Sequence, residues 1–92
     1  MSANTAYNLA ALSAGVQVTP QACQLYAVSI NTKGATSNLL SLYDGTSTGG
    51  KLIAAIDTTS NVGTLFFKCE ILVGLFVVSA AGTAANVTIL TN

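Results

Sequence analysis

Short runs of residues that alternate between apolar and polar, spaced about ten residues apart and separated by clusters of Gly, Ser, Asn and Asp, constrain this chain more than any other feature. Successive side chains of a strand point to opposite faces, so each such run offers one face to a core and the other to solvent or a partner. The plainest run is 24–32. There Tyr26, Val28 and Ile30 are expected on one face and Leu25, Ala27, Ser29 and Asn31 on the other. Asn31-Thr32-Lys33-Gly34 reads as the following turn, with Gly34 free to take a positive φ. Further strands are expected over 16–19 (closed by Pro20), 37–43, 51–57, 64–71, 75–80 and 86–91. Leu40 and Leu42 share one face of 37–43, Ser41 and Tyr43 the other. In 64–71, Leu65, Phe67, Cys69 and Ile71 alternate with Phe66, Lys68 and Glu70, so the charges fall on one face. Polar turns are expected at 44–50 and 58–63, and a small-residue turn at Ala81-Gly82-Thr83.

No stretch of a dozen residues keeps a helical period with caps, and short loops favour antiparallel pairing. The expected fold is all-β: a compact antiparallel β-sandwich or jelly-roll-like barrel of seven or eight short strands. Residues 15–92 form its single domain. Residues 1–14 are small and polar around Tyr7, Leu9 and Leu12, which suits an N-terminal arm that docks onto a neighbour, or a first edge strand.

Charge narrows the functional classes. Only 7% of the 92 residues are charged and 51% are hydrophobic, whereas soluble domains carry roughly 25% charged residues. Lys33, Lys51 and Lys68 balance Asp44, Asp57 and Glu70. A surface so short of charge favours self-association, and apolar residues occupy both faces of some strands, as at Leu65/Phe66 and Phe76/Val77. Tyr7, Tyr26 and Tyr43 either line a contact surface or fill the core with the hydroxyl at its rim. The candidate interaction residues are therefore Tyr7, Leu9, Leu12, Tyr26, Tyr43, Phe66 and Phe76. Three scattered lysines make no phosphate-binding patch, so no nucleic-acid partner is expected. The uncharged stretch after Glu70 contains Gly74 and Gly82 and thins into Thr and Asn, which reads as two strands and not a membrane span.

Chemistry is sparsely provided. There is no His to activate a Ser or Cys, and nothing places two of the three acids together, so no catalytic residue and no enzymatic activity are expected. Cys23 and Cys69 match no metal-binding spacing and are expected as thiols, with no metal and no cofactor. Gly45 to Lys51 fits G-x-x-x-x-G-K, but Leu52 stands where a phosphate loop needs Ser or Thr, and a strand-like run follows in place of a helix. A glycine-rich hairpin loop is expected there. Asp44 and Asp57 open turns and are expected to cap backbone donors.

The order of the runs resembles that of small virion structural proteins of tailed bacteriophages. The resemblance rests on Leu25-Tyr26-Ala27-Val28-Ser29-Ile30-Asn31, on Leu42-Tyr43-Asp44-Gly45-Thr46-Ser47 with Gly49-Gly50 before the next strand, on Gly74-Leu75-Phe76-Val77-Val78, and on Asn86-Val87-Thr88-Ile89-Leu90. It covers about Leu25 to Leu90 and does not extend to the start of the chain. It implies a capsid decoration, or cement, protein: a homo-oligomer, with a trimer favoured, bound to the major capsid protein or another virion protein on the head surface. Assembly would then take place in the reducing cytoplasm of a bacterial host. The alternative it implies is a neck, tail or fibre component, with a carbohydrate-binding surface.

Overall fold

The computed structural model describes residues 5–9, 15–60, 63–80 and 85–91. The described residues form eight strands: β1 (Thr5–Leu9), β2 (Val16–Thr19), β3 (Cys23–Thr32), β4 (Leu39–Asp44), β5 (Lys51–Asp57), β6 (Gly63–Ile71), β7 (Leu75–Ala80) and β8 (Asn86–Thr91). β1 pairs with β8, β2 with β7, β3 with β6 and β4 with β5, all antiparallel, so the chain is one long two-stranded ribbon. Two further pairings, β8 with β3 and β7 with β4, wrap that ribbon into two four-stranded sheets ordered β1-β8-β3-β6 and β2-β7-β4-β5. This is the jelly-roll arrangement of a β-sandwich.

The alternation sets the core. Leu25, Val28, Ile30, Ile71, Val87 and Ile89 enter it from the first sheet, and Val18, Leu40, Leu42, Ile56, Leu75 and Val77 from the second. Each fully buried aliphatic side chain stabilises the fold by roughly 1.5–3 kcal/mol relative to exposure. Half-buried Tyr7, Val16, Ile53, Leu65 and Phe67 seal the margins of this layer. Residues 5–9 thus lie in the sandwich as an edge strand, with the ring of Tyr7 packed on the core. The remainder of 1–14, including Leu12, and the turn expected at 81–83 lie outside the described residues.

Two local expectations need correction. In β3, Leu25 faces the core and Tyr26 does not, the reverse of a strict two-residue period. A β-bulge between Leu25 and Ala27 explains it, since the ladder to β8 shifts there by one residue and the phase of the strand inverts. The ladder to β6 shifts at the same place, with Lys68 of β6 in the left-handed region at φ 50°. The second correction concerns the turn after β3, which begins later than Asn31. Gly34 is buried and donates its N–H to the Thr58 carbonyl, while the positive φ falls on Thr36 (57°) and Ser37 (62°). Left-handed backbone costs a non-glycine residue about 1 kcal/mol or more. The neighbouring Asn38 offsets that strain. Its Nδ2 donates to Ser79 Oγ at 2.8 Å, its Oδ1 accepts from Thr58 Oγ1 at 2.6 Å, and its carbonyl accepts the Thr58 N–H at 3.2 Å. All three residues are buried, so this polar node ties together the ends of β4, β5 and β7 without leaving an unmet donor.

The inside-outside assignment makes a paired prediction. Leu42→Ala, in the core, should destabilise the domain by about 2–5 kcal/mol, and Leu52→Ala, 53% exposed on β5, by less than about 1 kcal/mol. Urea unfolding of both variants checks it.

Candidate functional site

Each sheet turns one face outward, and the strand register decides what each face presents. On the β2-β7-β4-β5 sheet, Tyr43 pairs with Phe76 on one side and with Leu52 on the other, so three bulky apolar side chains form one row across three strands. The next row, by the same registers, is Val78, Ser41 and Ala55, and beyond it Leu39 pairs with Asp57. None of these side chains belongs to the core layer, whose members on the same strands alternate with them. Leu52 and Leu39 are 53% and 40% exposed. Antiparallel sheets usually alternate apolar-in with polar-out, and this face departs from that rule over most of its area. Asp57 adds a charge at the end of β5, whereas Lys51, next to the outward Leu52, stands opposite Asp44 and alternates onto the other side of the sheet.

The outer face of the β1-β8-β3-β6 sheet is mixed. Ala6, Leu90, Ala27 and Phe66 follow one another in register across all four strands, and Tyr26 packs edge-on against Phe66 with ring centroids 5.8 Å apart. Phe66 remains 65% exposed. The adjacent row, Asn8, Thr88, Ser29 and Thr64, is polar and is extended by Asn31 and Asn86. Asn8 Nδ2 donates to Asn86 Oδ1 at 2.9 Å, and Asn31 Nδ2 donates to Asn86 Oδ1 at 3.0 Å and to Thr88 Oγ1 at 2.9 Å. Lys68 and Glu70 add charge to this face.

The seven candidate residues therefore separate into groups. Tyr43 and Phe76 are register partners on one outer face; Tyr26 and Phe66 touch on the other. Tyr7 is turned to the core, Leu9 is the last residue of β1 opposite Val87, and Leu12 lies outside the described residues. Sequence reasoning missed Leu39, Leu52 and Val78. Leu39 does alternate out of phase with Leu40 and Leu42, a signal for an outward position, but only the cross-strand register shows that these residues form one patch.

The loop and turn chemistry is structural. The Gly45–Lys51 segment leads into β5, a strand, where a phosphate loop would lead into a helix. It is held tight because a Cβ on Gly45 would come within 2.8 Å of the Gly50 Cα. Asp44 does not cap its own turn. Its carboxylate accepts the backbone N–H groups of Leu72 (3.0 Å), Val73 (2.9 Å) and Gly74 (3.4 Å), fixing the β6–β7 turn with Leu72 and Val73 70% and 55% exposed. Asp57 caps its own turn, accepting the Thr59 N–H at 2.9 Å and the Ser60 hydroxyl at 3.0 Å. Cys23 and Cys69 are free thiols on paired strands, two residues out of register, since Cys23 lies opposite Ile71 and Cys69 opposite Leu25. Such diagonal neighbours are roughly 7–8 Å apart, longer than the usual disulfide span. Burial, and then the negative charge of Asp44, push the Cys23 thiol above its ordinary pKa. Among the described residues no group of three or more His, Cys, Asp or Glu could hold a metal ion, and no helix is long and apolar enough to cross a membrane.

No protein-family model matches this sequence, and no curated protein matches it.

Hydrogen bonds from Leu72 and Val73 hold the Asp44 carboxyl below its ordinary pKa of 3.8, and those from Thr59 and Ser60 do the same for Asp57. A depressed carboxylate pKa contributes stability that is present above the ordinary value and lost as pH falls through the folded one. The melting temperature should therefore be level down to about pH 4 and then fall, and Asp44→Asn should make that acid decline shallower. Thermal unfolding monitored by circular dichroism from neutral to strongly acid pH checks this.

Proposed function

We propose that this chain is a structural protein of a tailed-bacteriophage virion, a capsid decoration subunit that reinforces the head by binding its outer surface as a homo-oligomer. The observation that carries the reading is the outer face of the β2-β7-β4-β5 sheet, where Phe76, Tyr43, Leu52, Val78, Ala55 and Leu39 lie together on the outside of a sandwich whose core is already full. A face of that composition suits permanent burial in an assembly, because extended exposed apolar patches on soluble domains mark interfaces. The jelly roll recurs in viral capsid proteins, which is an argument by fold analogy. The low charge content and the resemblance of 25–90 to small phage virion proteins point the same way. The work would be mechanical: many modest contacts, repeated over a shell and linked through the oligomer, hold more tightly than any one of them. The subunit would assemble in the bacterial cytoplasm, where Cys23 and Cys69 remain thiols.

One observation favours a second reading, a tail or fibre component that binds carbohydrate. The row of Asn8, Asn31, Asn86, Thr88, Ser29 and Thr64 beside the exposed ring of Phe66 offers amide and hydroxyl groups next to an aromatic face.

Mixing the purified chain with parent-phage heads assembled without it separates the two. The decoration reading expects the chain to co-sediment with heads and to raise the temperature at which they release DNA. Binding to tails with no binding to heads would overturn it in favour of the second reading.

A further inference from the structure

We infer that the outer face of the β1-β8-β3-β6 sheet binds an uncharged oligosaccharide of about two or three sugar units, laid across the strands from Asn86 and Thr88 to the ring of Phe66. The inference rests on the carbohydrate reading above and deepens it, by naming the ligand's charge, its length and the groups that hold it. It holds for a chain on heads or on tails, since burying the apolar face of a sandwich leaves the opposite face displayed.

The hydrogen bonds of the polar row run in one direction. The Thr64 hydroxyl donates to Ser29 Oγ at 3.4 Å, and the Ser29 hydroxyl donates to Asn31 Oδ1 at 3.4 Å. Asn8 Nδ2 and Asn31 Nδ2, on the strands either side of β8, both donate to Asn86 Oδ1 and to Thr88 Oγ1. Thr88 Oγ1 thus accepts twice, and its own hydrogen is left over. Asn86 commits its oxygen to the ladder and keeps the hydrogens of Nδ2. Among the described residues neither of these two donors has an acceptor. Spare acceptors stand at the two ends of the row, Asn8 Oδ1 on β1 and Thr64 Oγ1 on β6. The ladder fixes these side chains before a ligand arrives, which lowers the ordering cost of binding.

That pattern selects the ligand class. The row contains no ionisable group, and Lys68 and Glu70, beyond Phe66 on β6, have opposite signs, so net charge on a ligand gains nothing. A nucleic acid brings phosphates that need a basic patch. An extended peptide pairs with backbone groups at a sheet edge, not with side chains on its face. A sugar ring carries hydroxyls that both donate and accept around its rim, and a C–H face that rests against the negative face of an aromatic ring. Phe66 supplies that ring: it is 65% exposed, and Tyr26 steadies it edge-on with centroids 5.8 Å apart. Thr88 lies two strands from β6 and one row from Phe66. Strands about 4.8 Å apart and rows about 7 Å apart separate the two positions by roughly 12 Å, more than one sugar ring spans.

Titration of the full chain with neutral trisaccharides, followed by amide chemical shifts, tests the inference. The probes are maltotriose, cellotriose and tri-N-acetylchitotriose, with trigalacturonate as the charged comparison. A neutral trisaccharide should shift amides in 29–31, 64–66 and 86–88, and bind more tightly than its own monosaccharide. Phe66→Ala should weaken that binding by about three- to tenfold. Asn86→Asp keeps an oxygen for Asn8 and Asn31 and removes only the outward donor, and should weaken it by a similar factor. Leu52→Ala, on the opposite sheet, should leave it unchanged. Circular dichroism establishes that each variant is folded. No shift with any neutral trisaccharide, shifts confined to 39–43, 52–57 and 76–78, tighter binding of trigalacturonate, or binding that neither Phe66→Ala nor Asn86→Asp weakens would overturn the inference. No phage particle enters this experiment, so its failure removes the sugar site and leaves the place of the chain on heads or tails to the mixing experiment.

Discussion

Burial of one face of every strand between two sheets is the interaction on which the rest of this molecule depends, and in a chain of 92 residues it uses most of the aliphatic side chains that can be spared. Small domains bury a modest fraction of their surface, so the layer of Leu25, Val28, Ile30, Leu40, Leu42, Ile71, Leu75, Val77, Val87 and Ile89 has little redundancy. The jelly-roll wrapping follows from the need to close that layer. A single antiparallel ribbon has two apolar faces' worth of side chains on one side only, and folding it over lets that side meet itself. The consequence for function lies in the residues left outside. With only six charged residues, three of each sign, the chain cannot give both outer faces a polar coat. The β1-β8-β3-β6 face receives the Asn and Thr rows with Lys68 and Glu70, and the other face is left with Phe76, Tyr43, Leu52, Val78 and Leu39 among a few polar residues, Gln17, Ser41 and Asp57.

Polar groups act here as fasteners. The Asn38–Thr58–Ser79 node is buried and satisfied, so it fixes how β4, β5 and β7 end relative to one another. That in turn fixes the register that lines up Tyr43, Phe76 and Leu52. Asp44 performs a similar task at the opposite end of β4, binding three successive amide groups of the β6–β7 turn. Between them the two fasteners hold β4 at both ends, and β4 is the strand that carries the centre of the apolar face. The outer face is therefore a rigid surface supported by the fold, and not a loop that could adapt to different partners.

Most of the fold was legible because strand periodicity is local. Leu40 and Leu42 against Ser41 and Tyr43, and Phe67 and Cys69 against Phe66 and Lys68, announce their faces within a few residues. What was not legible required information from elsewhere in the chain. The inversion at Tyr26 arises from a bulge defined by where β8 and β6 pair, and no residue near Tyr26 signals it. The left-handed Thr36 and Ser37 were masked by Gly34, which is the obvious residue for a positive φ but is instead buried against Thr58. The candidate site was half legible. Tyr43, Phe76, Tyr26 and Phe66 could be chosen as aromatic residues with no certain place in the core, but their grouping into two faces, and the addition of Leu39, Leu52 and Val78, depend on cross-strand register. For Tyr7 the sequence left two alternatives, an arm or a first edge strand, and the structure has the edge strand, with the ring packed inward.

The central claim is that the β2-β7-β4-β5 face is the surface buried when this chain assembles. Amide chemical shifts followed by nuclear magnetic resonance as the protein is diluted report, residue by residue, which surface becomes exposed. The account predicts changes concentrated in 39–43, 52–57 and 76–78, with 24–31 and 64–70 nearly constant. Changes concentrated in 24–31 and 64–70, or none at any residue, would contradict it.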